Sequence, residues 1–142
     1  MDNLKQRGKA VVNACPMCSE DEETIDHLLL RCNSAVRIWN SVVSCFGCSW
    51  IFPKHVQDLF VAWKSPIKSQ KGKEMWKLSF LVVIWHIWKE RNARCFEGVV
   101  MNGDSICGKI KFSVAQWVLI NPIFRDYSID RIMYNWKDVA FM

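Results

Sequence analysis

Apolar residues recur along most of this chain at helical rather than alternating spacing. Ile25, Leu28 and Leu29 mark one face of a first helix starting near Glu22. Ser19-Glu20-Asp21-Glu22 reads as its capping box, and the acidic run 20–23 lies where a helix dipole favours negative charge. Asn33-Ser34 can cap a second helix over 35–44, with Val36, Ile38, Trp39, Val42 and Val43 as its stripe and Gly47 as its stop. Trp50-Ile51-Phe52-Pro53 reads as an extended apolar link. A short helix over 56–64 follows, carrying Val56, Leu59, Phe60 and Trp63, and then a solvated linker over 65–72. The segment 73–96 is the longest helical candidate. Its apolar positions lie nearly all round, which predicts a central, buried helix closed by Glu97-Gly98. Asp104-Ser105 can cap a helix over 106–119 with Ile106, Ile110, Val114, Trp117 and Val118 on one stripe. Asn121-Pro122 breaks it, and a last amphipathic helix over 128–139 presents Ile129, Ile132, Met133, Trp136 and Val139. Strand signals are few, so the fold class is mainly α.

Composition supports a packed core. Apolar residues make up 51% of the 142, with eight Trp and eight Phe, which is no disordered composition. The most apolar run, 78–88, is shorter than the roughly 20 residues that cross a bilayer, so no membrane span is expected. Residues 1–14 lack the apolar stretch of a secretory signal. An odd seven cysteines fits a reducing, intracellular compartment, nucleus or cytosol, better than a disulfide scaffold. The net charge of +5 permits contact with nucleic acid without demanding it.

The cysteines change the picture most. Cys15, Cys18, His27 and Cys32 follow the pattern Cys-x2-Cys-x8-His-x4-Cys within an 18-residue window. Cysteine is often only a small buried hydrophobe. Three thiolates and an imidazole at these spacings nevertheless describe a zinc site, and Pro16 helps to fix the loop between the first two. Four protein ligands close the tetrahedron, so the zinc is structural. On an ideal helix His27 and Cys32 are roughly 140° apart around the axis and cannot both face one ion. The first helix must therefore end near Arg31, and zinc pins the corner with the next. The architecture expected is a small zinc-pinned helix-corner module over 1–48, followed by an aromatic-rich helical bundle over 49–142 packed as one unit with it.

Other chemistry is sparse. No nucleophile elbow, phosphate-cradling loop or dinucleotide fingerprint appears, so no enzyme is expected. Cys45 and Cys48 form a second two-residue pair, either a redox dithiol or half of a second zinc site with His55 and Cys95 or Cys107. No βαβ pattern surrounds them, and the bland reading without a role is preferred. His86 reads as a satisfied core histidine and His55 as a surface one. Lys5, Arg7 and Lys9 flank the metal loop and can meet phosphates, and Lys64, Lys68, Lys71, Lys73 and Lys77 form a second basic cluster. The aromatics mostly fall on core stripes, which makes them poor stacking partners for bases. The acidic loop places any basic face elsewhere on the module.

Cys15-x2-Cys18-x8-His27-x4-Cys32, with the run from Glu23 to Cys32 and Ala35-x3-Trp39, resembles the zinc-binding domain that follows the reverse transcriptase in plant non-LTR, LINE-type retroelements. Val83-Ile84-Trp85-x2-Trp88-x-Glu90-Arg91-Asn92-x-Arg94-x-Phe96 and the Trp117 segment resemble the tail of those polyproteins. The resemblance implies zinc binding and contact with RNA or single-stranded DNA, in support of a polymerase that this chain has no room to contain. The family module carries a Trp-rich segment ahead of its metal loop, so the expectation is an N-terminally truncated module. Two functions follow. One is a zinc-stabilised nucleic-acid-binding remnant of a retroelement polyprotein, without polymerase activity. The other is a protein-interaction module that binds a partner, or itself, through apolar surface the truncation exposes.

Overall fold

The chain turns a corner at Cys32, and the rest of the architecture follows from how that corner is built. A computed structural model describes residues 13–142; Lys5, Arg7 and Lys9 lie outside the described residues. The elements are a π-helical turn His27–Arg31, α1 Asn33–Cys45, α2 Val56–Ala62, α3 Gln70–Phe96, α4 Gly103–Val118, a 3-10 turn Pro122–Phe124, α5 Ile129–Tyr134 and α6 Trp136–Ala140. The class is mainly α, as expected, and the one β contact among the described residues is a bridge between Ala14 and Glu22.

The helix break predicted near Arg31 is present, and its form is a turn one residue wider than an α-helix. The Cys32 N–H donates to the His27 carbonyl at 2.7 Å, the i→i+5 bond of a π turn. Cys32 is extended (φ −59, ψ 142) and precedes α1 directly, so α1 starts at Asn33 rather than at 35. Its buried face is Ala35, Ile38, Trp39, Val42 and Val43, whereas Val36 is exposed. The Trp39 indole N–H donates to the Leu29 carbonyl at 2.7 Å and so ties α1 to the widened turn. Gly47 ends the element at φ 73, a conformation that glycine adopts without a Cβ penalty.

Four other expectations are corrected. Ser19 to Glu22 is no capping box: Glu22 pairs with Ala14, and Thr24 Oγ1 accepts the His27 N–H at 3.0 Å instead. The segment 65–72 is no solvated linker. Ser69 caps α3 by accepting from the Gly72 N–H, Ile67 is buried, and the Ser69 hydroxyl donates to the carbonyl of Ala140. Gly72 sits where a Cβ would collide with the Ala140 carbonyl and Ile67, which is why the chain needs glycine there. Asn102, not Asp104-Ser105, caps α4. The last helix is interrupted at Asn135 (φ −127, ψ 38), giving α5 and α6.

The long helix α3 packs on α4, α1 and α6. It is central, as expected, but not buried all round. Met75, Trp76, Phe80, Val83 and Ile87 are in the core, while Leu81, Trp85, Trp88 and Phe96 face solvent. On α4, Trp117 and Phe112 are likewise exposed, and Ala115 takes a core place. The remaining aromatics knit the 50–53 link to the helices. The Trp39 ring lies 5.9 Å from Phe52, 5.4 Å from Trp63 and 5.9 Å from Phe80, and Trp50 stacks on Trp63 and Trp76. Centroid separations of this kind add to the value of simple burial.

Candidate metal centre

The metal loop is a tight hairpin made by its own backbone. The Cys15 N–H donates to the Asp21 carbonyl at 2.8 Å, the Ser19 N–H to the Cys15 carbonyl at 2.7 Å, and the Glu23 N–H to the Asn13 carbonyl at 2.6 Å. Ser19 takes φ 61, a left-handed turn that folds the loop back beyond Cys18. The hairpin presents Cys15 and Cys18, and the π turn supplies His27 and, at its exit, Cys32.

The ligand atoms of Cys15, Cys18, His27 and Cys32 all lie within 4.8 Å of one another. The Cys15 and Cys32 sulfurs are 3.9 Å apart, and Cys18 Sγ is 3.3 Å from His27 Nε2. A tetrahedral zinc with ordinary bond lengths needs S···S edges of about 3.8 Å and S···N edges of about 3.5 Å. The donor set fits the ion. Cys15 and Cys32 are fully buried and His27 nearly so, which excludes water and closes the site. The cofactor is structural zinc.

The electrostatics prepare for a cation. The hydrogen bond from Cys15 draws Cys32 down to about 5, with the Ser34 N–H and His27 helping. The same bond, and then burial, push Cys15 up, while the Cys18 and Met17 N–H groups favour its thiolate. Cys32 is thereby favoured as the thiolate, the form that binds a dication. The Glu20 N–H points at Cys18 Sγ at 3.5 Å.

The loop is also held from outside. Met17, between the first two cysteines, is buried, and its carbonyl accepts from Arg94 Nη1 at 3.1 Å. Arg94 Nε donates to Glu90 at 2.6 Å and Nη2 to the Met101 carbonyl at 3.3 Å; Glu90 in turn accepts the Met101 N–H at 2.9 Å. One turn away Arg91 makes a two-pronged pair with Glu23, at 2.8 and 3.0 Å. Within the acidic run 20–23, Glu23 is thus a docking partner for α3. These couplings run between distant segments, and no local pattern in the sequence marks them.

Outside this centre, His86 is buried with Nε2 2.9 Å from Ser113 Oγ, a core histidine as expected. His55 is on the surface but not alone: its Nδ1 lies 2.7 Å from Asp26 Oδ2. Asp26 Oδ1 also accepts the Val56 N–H at 2.9 Å at the start of α2. The His55 bond, then the Val56 bond, hold the Asp26 carboxyl below its usual range. Cys45 and Cys48 form no second cluster with His55, Cys95 or Cys107; the four-residue centre is the one such group among the described residues. No helix among them is long and apolar enough to cross a membrane.

Residues 1–39 match the family model described as zinc-binding in reverse transcriptase. All four ligands fall inside the match, which ends at Trp39 and leaves α2 to α6 outside. No curated protein and no solved structure matches the chain. The chain thus carries a zinc-binding domain like that of reverse transcriptases, a binding module rather than a catalytic one.

Proposed function

We propose that the chain is a zinc-stabilised nucleic-acid-binding module, derived from the polyprotein of a plant LINE-type element and without polymerase activity of its own. The observation that carries this reading is the family match, which covers all four residues of a donor set with zinc-like separations. The net charge of +5 suits a polyanionic partner. Lys5, Arg7 and Lys9 beside the metal loop are phosphate contacts in this reading, and the partner is RNA or single-stranded DNA. Residues 1–48 form the zinc module, and 49–142 pack with it as one unit. Support for that unit comes from Arg94 and Arg91, which bind the loop from α3. The place of work is a reducing compartment, nucleus or cytosol.

The test is anisotropy of labelled single-stranded RNA and DNA with the zinc-loaded protein at stepped salt. Affinity is expected to fall with salt, by a log–log slope of about −0.7 per phosphate neutralised. Absence of binding at low salt overturns the reading.

A second reading, a protein-interaction module, is favoured by one observation: Ile51 and, on α2, Phe60 and Val61 are large apolar side chains left exposed. It predicts a dimer or a stable protein complex in sedimentation and no nucleic acid bound.

A further inference from the structure

A groove of about 430 Å³ between α3 and α4 is lined by Leu78, Leu81, Val82, Trp85, Ser113 and Trp117. Its two indoles stand on different helices and are 57% and 58% exposed, so neither is spent on the core. Lys89 lies one turn beyond Trp85 on α3, with its ammonium 5.8 Å from that ring. Lys109 lies one turn before Ser113 on α4. Both lysines line the adjoining cavity around His86, which gives the groove a basic end. Glu90 and Glu97 line that cavity too; Arg94 at 2.6 Å takes up the charge of Glu90, and the two lysines outnumber Glu97. No residue lining the groove itself is acidic.

We infer that this groove binds single-stranded nucleic acid, with bases stacked on Trp85 and Trp117 and phosphates met by Lys89 and Lys109. The inference rests on the nucleic-acid reading above and assigns it a surface. Exposed π-faces flanked by cations suit a strand whose every base has a face to stack, whatever its sequence. What favours a nucleic-acid strand over a protein partner is the pair of ammonium groups, Lys89 and Lys109, at the end of the groove.

The experiment uses fluorescein-labelled 12-mers of dT and of U with the zinc-loaded full chain. It compares the wild type with Trp85→Ala, Trp117→Ala and the pair Lys89→Gln/Lys109→Gln. Zinc content and circular dichroism are measured alongside, and these exposed positions should leave both unchanged. Each Trp variant is expected to bind roughly 5- to 100-fold more weakly at fixed salt. The lysine pair is expected to flatten the salt slope by about 1.4, two single-strand phosphate contacts. If the wild type binds and both Trp variants bind within twofold of it, the groove is overturned while the nucleic-acid reading stands. If the wild type does not bind, both fall. A wild-type dimer that Trp117→Ala dissolves gives the groove to a second copy and overturns the assignment.

Discussion

Replacing Arg94 with methionine should cost this fold more than any surface change. The guanidinium serves three acceptors at once: the buried Glu90 carboxylate at 2.6 Å, the Met17 carbonyl in the metal loop at 3.1 Å and the Met101 carbonyl at 3.3 Å. Glu90 is only 5% exposed, so Arg94→Met leaves a carboxylate out of water without its partner. Breaking a buried pair from one side costs about 3–5 kcal/mol, a large part of the roughly 5–15 kcal/mol that holds a domain folded. Removing the carboxylate as well, in Glu90→Leu/Arg94→Met, takes away the stranded charge. The double variant should therefore recover about 1–3 kcal/mol relative to the single one. Urea unfolding followed by circular dichroism, at equal and saturating zinc, measures both. A loss under about 1 kcal/mol for Arg94→Met, or a double variant no better than the single, would refute the claim that this pair anchors the loop.

Two further changes test other parts of the fold. Alanine normally stabilises a helix over glycine by about 1 kcal/mol. At Gly72, however, the added Cβ meets the Ala140 carbonyl and Ile67, so Gly72→Ala should lower the melting temperature by the equivalent of about 1–3 kcal/mol; a higher melting temperature contradicts the docking of the C-terminus there. Burial, and then the nearby Lys89 and Lys109, hold the His86 pKa below its ordinary value. The unfolded chain therefore takes up this proton first, and the stabilising effect is complete above about pH 6.5 and is lost as pH falls below it. The stability of the wild type relative to His86→Gln should shrink between pH 7.5 and 5.5, and a constant difference in chemical denaturation would count against it.

Much of the corner was legible because a metal imposes geometry on spacing. Five residues from His27 to Cys32 could not share an α-helical face, and the chain does break there. That the break is a π turn was not legible, since its Leu29 carbonyl is met by Trp39 from the next helix, a contact that spacing does not reveal. Segment 65–72 looked solvated because its polar letters hide a long-range event, the docking of Ser69 and Gly72 on Ala140. The apolar run in α3 looked wholly buried because periodicity counts apolar positions, not partners. Trp85 and Trp88 stay exposed, with Lys89 and Arg91 over their rings, and that exposure is what turns a core helix into a candidate binding face. The ligand set itself was readable from its spacing, whereas the Arg94 and Arg91 anchors join segments far apart in the chain and were not legible in it.

The central claim is that zinc on Cys15, Cys18, His27 and Cys32 holds this fold together. Metal quantification on the purified chain, wild type beside Cys32→Ala, tests it most directly. The account predicts one zinc per wild-type chain, with zinc lost and the helical circular dichroism strongly reduced in Cys32→Ala. A wild-type protein that is fully folded after its metal has been stripped by a chelator would contradict it.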